Sequence, residues 1–336
     1  MGKWHFPVSN SILDSDALIE RVLSLYSLGN SVQCNLYRRC MGDVYFVKAR
    51  NDSYFLKVYR NDRNSRKNIE AEMDFLNDLL ANQIPVSAPI KNCHSAYINE
   101  IDAPEGTRYA VLFHAITGHE PLETNPDHSR SFGKLAGRLH NCADKLGKQY
   151  DRKHLDEKYL ILDPIGYMKP YIHNRKQYID YLNKFGLDLI NELCGLLTKS
   201  VPEYGICHGD FHAGNALYDS NDQLTLFDFD SFGYGWRIVD LGVYVTSYDW
   251  MDLSRESKRK RDGIWNAFAD GYSEERPLSE NELLAVRLCL PIRHFELMGI
   301  TIRYWSQTEG INWITDEYFD QHIEWFKRWA GEYRSI

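Results

Sequence analysis

Apolar and polar positions alternate through the first third of the chain and recur with a helical period through most of the rest. The runs 32–39, 43–50 (DVYFVKAR) and 53–60 (SYFLKVYR) alternate as half-buried strands do. Met41-Gly42 and Asn51-Asp52 separate them with hairpin turn chemistry. Residues 65–82 put Ile69, Met73, Leu76 and Leu80 on one helical face. Two further strands are predicted at 94–101 and 108–115, which makes a five-stranded antiparallel sheet with one helix inserted after its third strand. Ahead of the sheet, 14–28 (DSDALIERVLSLYSL) predicts an amphipathic helix with an acidic first turn.

Beyond Gly118 the period changes. Helices are predicted at 128–146, 174–199, 236–250, 254–273, 279–306 and 316–333, with short strands at 204–207, 215–219 and 224–227. Pro85, Pro89, Pro104 and Pro121 mark loops. The expected architecture is α+β and bilobal: an N-terminal lobe over 1–115 and a mainly helical C-terminal lobe over 116–336, meeting at about 114–120.

Composition narrows the function classes. Hydrophobic residues make up 43% and aromatics 13%, which argues against wholesale disorder. A formal net charge of −8 disfavours a general phosphate-backbone binder, so no nucleic-acid partner is expected. The seven cysteines (34, 40, 93, 142, 194, 207, 289) are scattered and form no CxxC pair, as in a reduced cytoplasmic protein. No apolar run reaches the length of a membrane span. The start MGKWHFPVSN lacks the apolar stretch of a signal peptide and has Phe6 where a myristoylation signal has Ser or Thr. A cytoplasmic location with no membrane partner is the expectation.

The informative segment is ICHGDFHAGNALYDSNDQLTLFDFDSFGYGWRIVD at 206–240. It carries His208, Asp210 and Asn215 as HxDxxxxN, then Asp228 thirteen residues on, between large apolar neighbours. Phosphoryl transfer from ATP needs a carboxylate at the attacking hydroxyl, hard oxygen ligands for Mg²⁺, and a short loop that fixes them together. Asp210 suits the first role; the Asn215 amide oxygen and the Asp228 carboxylate suit the second.

This segment resembles the catalytic and metal loops of the aminoglycoside phosphotransferase family, whose protein-kinase-like plan is shared by homoserine kinase type II and choline kinases. The resemblance spans most of residues 30–245. It implies that Lys57, on the third strand, grips the α/β phosphates of ATP, and that Glu72 on the inserted helix pairs with it, with Glu70 as the fallback. It implies a phosphate-covering hairpin at 39–45 containing Gly42 and Asp43, and a hinge where the backbone of Phe113, His114 and Ala115 meets adenine. It makes Asp210 the catalytic residue, and Asn215 and Asp228 the Mg²⁺ ligands. Asp230 stands where protein kinases have Gly, and either holds a second Mg²⁺ or caps the following turn. IPVSAP at 84–89 and RYWSQTEGINW near the C-terminus are similar to the bacterial stress-response kinase A type, which phosphorylates protein Ser/Thr.

Blander roles stand beside these. His208 fits a loop brace better than a ligand, and a zinc site with His212 lacks a third N or S donor nearby. Asp240 fits a structural brace, and Lys258–Arg261 (KRKR) a solvated helix face. The four tryptophans 305, 313, 325 and 329 read as core, with one or two lining an acceptor pocket. Glu296 and Asp252 are carboxylates able to meet an amine. The leading expectation is an ATP- and Mg²⁺-dependent O-phosphotransferase acting on a hydroxyl of a small molecule, a cationic one being favoured by the acidic balance. The alternatives are a Ser/Thr protein kinase and a non-catalytic nucleotide-binding module.

Overall fold

The computed structural model describes residues 6–39 and 41–333. Cys40 and the first five residues, including the Met1-Gly2 start, lie outside them. The other six cysteines are not in disulfides. Two compact units result, Met1–Thr117 and Gly118–Ile336.

The first unit opens with α1 (Ser15–Arg21), capped by the Asp14 side chain on the Ala17 N–H. The helix is shorter than its apolar pattern predicts. It gives way to a 3₁₀ turn at Leu23–Leu25, and Leu23, Tyr26 and Leu28 then drop onto the sheet with Leu18 and Val22. Strands β1 (Val32–Arg39), β2 (Gly42–Ala49) and β3 (Asp52–Tyr59) form the antiparallel hairpins that the alternation predicts. Helix α2 (Arg66–Ala81) starts in a Ser65/Asn68 capping box and buries Ile69, Met73 and Leu76, while Leu80 is half-buried.

The sheet then departs from expectation twice. It has a sixth strand, β4 (Pro89–Ile90), hydrogen-bonded to the later β6 (Gly106–His114). A two-residue strand beginning on proline gives no alternation to read. The strand predicted at 94–101 is β5 (Ile98–Ala103). Residues 92–96 form a turn instead, because the Asn92 side chain accepts from the N–H groups of His94 and Ala96. One sheet face, with Tyr45, Val47, Leu56, Val58, Ala110 and Leu112, packs on α1.

The second unit is mainly helical: α3 (Pro126–Leu146), α4 (Asp163–Met168), α5 (Lys176–Leu196), α6 (Arg237–Thr246), α7 (Arg255–Glu275), α8 (Glu280–Ile300), α9 (Ser306–Glu309) and α10 (Asp316–Tyr333). The longer ones lie where the period predicts. Short strands β7 (His154–Leu155), β8 (Tyr204–Cys207), β9 (Ala216–Tyr218), β10 (Leu224–Leu226) and β11 (Gly233–Trp236) are threaded among them. β9 and β10 pair with each other, while β11 lies between β7 and β8. β11 (GYGW) escapes a sequence reading because its glycines look like a turn.

α8 and α10 are joined by a dry aromatic cluster. His294 Nε2 lies 2.7 Å from His322 Nδ1, with Trp325 and Phe326 rings against His294. Burial holds both imidazoles neutral, pushing His322 down to about 4 and His294 well below its ordinary value. The unfolded chain takes up these protons near pH 6.5, so the stability they contribute at neutral pH is lost progressively as pH falls from about 6.5 to 4. Urea unfolding should show the wild type losing stability between pH 7.5 and 5, by about 2 kcal/mol from His322 with a further loss in the same direction from His294. His322→Phe should remove part of that dependence. Identical pH dependence in the two proteins would rule the pair out as its source.

Candidate active site

β8 delivers the chain to His208, and the loop from there to Asn215 is pinned from behind. Both Asp240 carboxylate oxygens accept loop N–H groups, from His208 and Gly209, at 2.8 Å each. Asp240 is buried on the first turn of α6, and burial raises its pKa. His140 of α3 supports it at 3.4 Å and is itself held by the Tyr272 hydroxyl. Replacing Asp240 by Ala would strand two buried donors, at a cost of about 3 kcal/mol or more. Urea denaturation of Asp240→Ala checks this, and a loss below about 1 kcal/mol would refute the bracing role.

His208 fixes the loop to the strand that follows it. Its Nδ1 accepts the Asp210 N–H at 3.3 Å and its Nε2 donates to the Phe227 carbonyl at 3.1 Å. Both ring nitrogens are thus committed, which bears out the brace over a zinc ligand. Gly209 has φ +83, and a Cβ there would lie 2.3 Å from the Ser231 carbonyl oxygen, so the position admits glycine alone.

Asp210 and Asn215 meet. The Asn215 Nδ2 donates to the Asp210 carbonyl at 2.9 Å and to its Oδ2 at 3.2 Å. With the amide nitrogen committed, the Asn215 oxygen remains for another partner. Asn215 also accepts the Phe227 N–H through its backbone carbonyl. Phe227 is therefore held at both its N–H and its C=O, and Asp228 follows directly, exposed and in the left-handed region at φ 63. Asp230 is buried, and its Oδ1 accepts the Ser231 hydroxyl at 3.1 Å.

A residue the sequence reading missed dominates the electrostatics. Arg293 of α8 donates to Asp210 Oδ1 at 2.5 Å and to Glu296 Oε2 at 2.6 Å. Burial opposes ionisation of Asp210, but Arg293 and His212, whose Nε2 is 3.4 Å from Oδ2, outweigh it and hold the carboxyl well below its ordinary range. Nothing in RHFELMG marks that arginine, since the contact spans 83 positions of sequence.

In the first unit, Lys57 and Glu72 converge on Tyr59. The Lys57 ammonium is 5.1 Å from the Tyr59 ring centre, and the Tyr59 hydroxyl donates to Glu72 Oε1 at 3.0 Å. Both residues are buried, whereas Glu70 is exposed and bonded to Arg66, which leaves Glu72 as the candidate. The hairpin differs from expectation. The Asp43 carboxylate is buried on Arg108 at 2.8 Å and on Arg39 at 3.3 Å, a strut and not a phosphate-facing group. Gly42 lies against the Val58 carbonyl. The hinge backbone is largely engaged as well. Phe113 pairs in register with Phe55 and Pro89, His114 N–H donates to Ala88, Ser87 donates to the His114 carbonyl, and Ala115 N–H donates to Ser53. Both backbone groups of His114 and the N–H of Ala115 are thus taken up within the first unit.

Other candidates resolve into scaffolding. Asp252 accepts from the N–H and the hydroxyl of Ser254, beside the start of α7. In the KRKR run, Lys258 and Lys260 pair along the helix with Asp262 and Glu256, while Arg261 turns inward to the carbonyls of Asp249 and Asp252. Trp325 and Trp329 are core, and Trp305 is about half exposed. Among the described residues no helix is long and apolar enough to cross a membrane.

A family model described as the phosphotransferase enzyme family matches residues 41–278. An uncharacterized protein of Synechocystis is 31% identical over 285 residues, 84% of this chain and 77% of its own length. Stress response kinase A of Escherichia coli K12 is 25% identical over 79% of this chain and 76% of its own. A microcompartment-associated aminopropanol kinase shares the fold with a TM-score of 0.76 at 19% identity, covering 94% of this chain and 98% of that one. An amicoumacin kinase in complex with AMP-PNP, Ca²⁺ and Ami does so with a TM-score of 0.75 at 20% identity, over 96% and 94%.

Proposed function

The chain belongs to the phosphotransferase enzyme family, and on that premise we propose that it transfers the γ-phosphoryl group of ATP to a hydroxyl of a small molecule. The observation that carries the reading is the Asp210–Asn215 contact on a loop braced by Asp240 and tied through Phe227 to Asp228. Solved relatives that name an acceptor, aminopropanol and amicoumacin kinases, name small molecules.

The donor set suits a hard divalent cation: an amide oxygen from Asn215 and carboxylates from Asp228 and Asp230. When bound, Mg²⁺ would neutralise charge on the phosphate oxygens. The protein's own groups divide the remaining work. Lys57, steadied with Glu72 around Tyr59, is assigned to the α/β phosphates. Asp210, kept ionised by Arg293 and His212, receives the acceptor hydroxyl as a hydrogen-bond donor and takes its proton late. A carboxylate of such low basicity aligns the nucleophile more than it deprotonates it, so positioning supplies most of the catalysis.

A screen of hydroxylated metabolites and amine-bearing antibiotics by coupled ADP release tests the proposal. The expected result is ADP release that matches phosphoester formation one for one and stops with EDTA. Label from γ-³²P-ATP entering protein bands, with no small-molecule product across the panel, would overturn the small-molecule acceptor.

A further inference from the structure

Arg152 is a buried cation to which the phosphotransfer reading gives no task. It sits just ahead of β7, on a turn closed by its own N–H donating to the Tyr150 carbonyl at 2.8 Å. Both ends of that turn are tied to β11. Tyr150 N–H donates to the Tyr234 hydroxyl at 2.8 Å, and the Lys153 carbonyl accepts the Tyr234 N–H at 3.0 Å. The guanidinium reaches the segment that follows Asp228. Its Nε donates to the Phe232 carbonyl at 2.7 Å, an Nη donates to the Asp230 carbonyl, and the group lies 4.3 Å from the centre of the Phe232 ring. The carbonyl between those two, that of Ser231, lies against Gly209 of the catalytic loop.

This segment carries both carboxylates suited to a divalent cation. Asp228 is exposed at φ 63, and a single 3₁₀ turn, Phe229–Ser231, separates it from Phe232. So short a turn has few hydrogen bonds of its own, and its direction depends on what grips its carbonyls. Arginine suits that grip. Its planar fork spans two acceptors at once, a geometry that the point charge of a lysine does not reproduce.

We propose that Arg152 is a positioning residue for the divalent cation: by clamping the carbonyls of Asp230 and Phe232, it fixes the direction in which the Asp228 and Asp230 carboxylates are presented. The proposal deepens the phosphotransfer reading and rests on it for the metal. Arg152 acts through the turn alone. Groups that orient metal-ligating side chains are typically worth about 10- to 100-fold in metal affinity.

Isothermal titration calorimetry of the full chain with ADP, once in EDTA and once with Mn²⁺ standing in for Mg²⁺, reads the gain in nucleotide affinity that the metal supplies. Arg152→Met should cut that gain by about tenfold and leave the affinity for metal-free ADP unchanged. Arg152→Lys keeps a donor for one carbonyl and guards against misfolding of the first variant; its gain should lie between those of Arg152→Met and the wild type. Tyr234→Phe removes the hydroxyl that holds Tyr150 but neither carbonyl contact of Arg152, and should keep the full gain. An undiminished gain in Arg152→Met would overturn the proposal. So would a fall in Tyr234→Phe as large as in Arg152→Met, or an equal loss of metal-free ADP affinity, since either would reduce Arg152 to general packing. These outcomes leave the phosphotransfer reading standing. A wild type that binds Mn·ADP no more tightly than ADP would overturn the reading and the proposal together.

Discussion

Asp210→Asn should lower kcat by about 10³-fold, within the usual range for loss of an acid–base group. The Asn side chain keeps the size of Asp, and Asn215 keeps its bond to the residue-210 carbonyl, while one acceptor oxygen remains where Arg293 and Asn215 each had their own. What disappears is the negative charge that aligns the acceptor hydroxyl and takes its proton. Affinity for Mg·ADP, read by calorimetry, should change little, because the nucleotide is assigned to Lys57, Asn215 and Asp228. Steady-state assays on an acceptor found by the screen check the first half. A variant turning over within tenfold of the wild type would remove Asp210 from the catalytic role. Parallel loss of nucleotide affinity and turnover would instead indicate collapse of the loop.

The second large effect is expected from Gly209→Ala, a change of one methyl group. The position is at φ +83, a region that costs an L-residue about 1–2 kcal/mol. The new Cβ would also lie 2.3 Å from the Ser231 carbonyl oxygen, a backbone atom that cannot swing aside. Either the loop or the segment carrying Asp230 and Ser231 must move, and that shifts Asp210 relative to the metal-ligand candidates. Displacements of about 1 Å at such sites cost on the order of 100-fold in rate. Gly209→Ala should therefore lose about 100-fold in kcat, with a fall in urea midpoint. Wild-type activity in this variant would mean that the loop tolerates movement, and the rigidity invoked for catalysis would be wrong.

The candidate site was unevenly legible in the sequence. HGDFHAGN and the FDFD strand end could be read because their roles depend on fixed local spacing. His208 braces Asp210 from two positions away, and Asn215 reaches Asp210 within one short loop. The Lys57 and Glu72 assignment followed from resemblance, and the structure adds Tyr59 as the residue on which both converge. Asp43 illustrates the opposite case. Its place in the hairpin suggested a phosphate-facing role, but Arg108, 65 residues away, buries its carboxylate. The hinge at 113–115 was placed at a strand end, yet whether its N–H groups were available depended on the carbonyls of Ala88 and Ser53.

By itself the sequence determined most of the longer strands, the long helices and the order of the reactive loop, because backbone periodicity and turn chemistry act over a few residues. Only the tertiary structure decided which charges meet. Arg293 reaches Asp210 across 83 positions, and His140 reaches Asp240 across 100. Such contacts depend on how helices pack. Packing is driven by buried apolar area, which brings whole faces together without encoding which polar side chains at their edges will become partners.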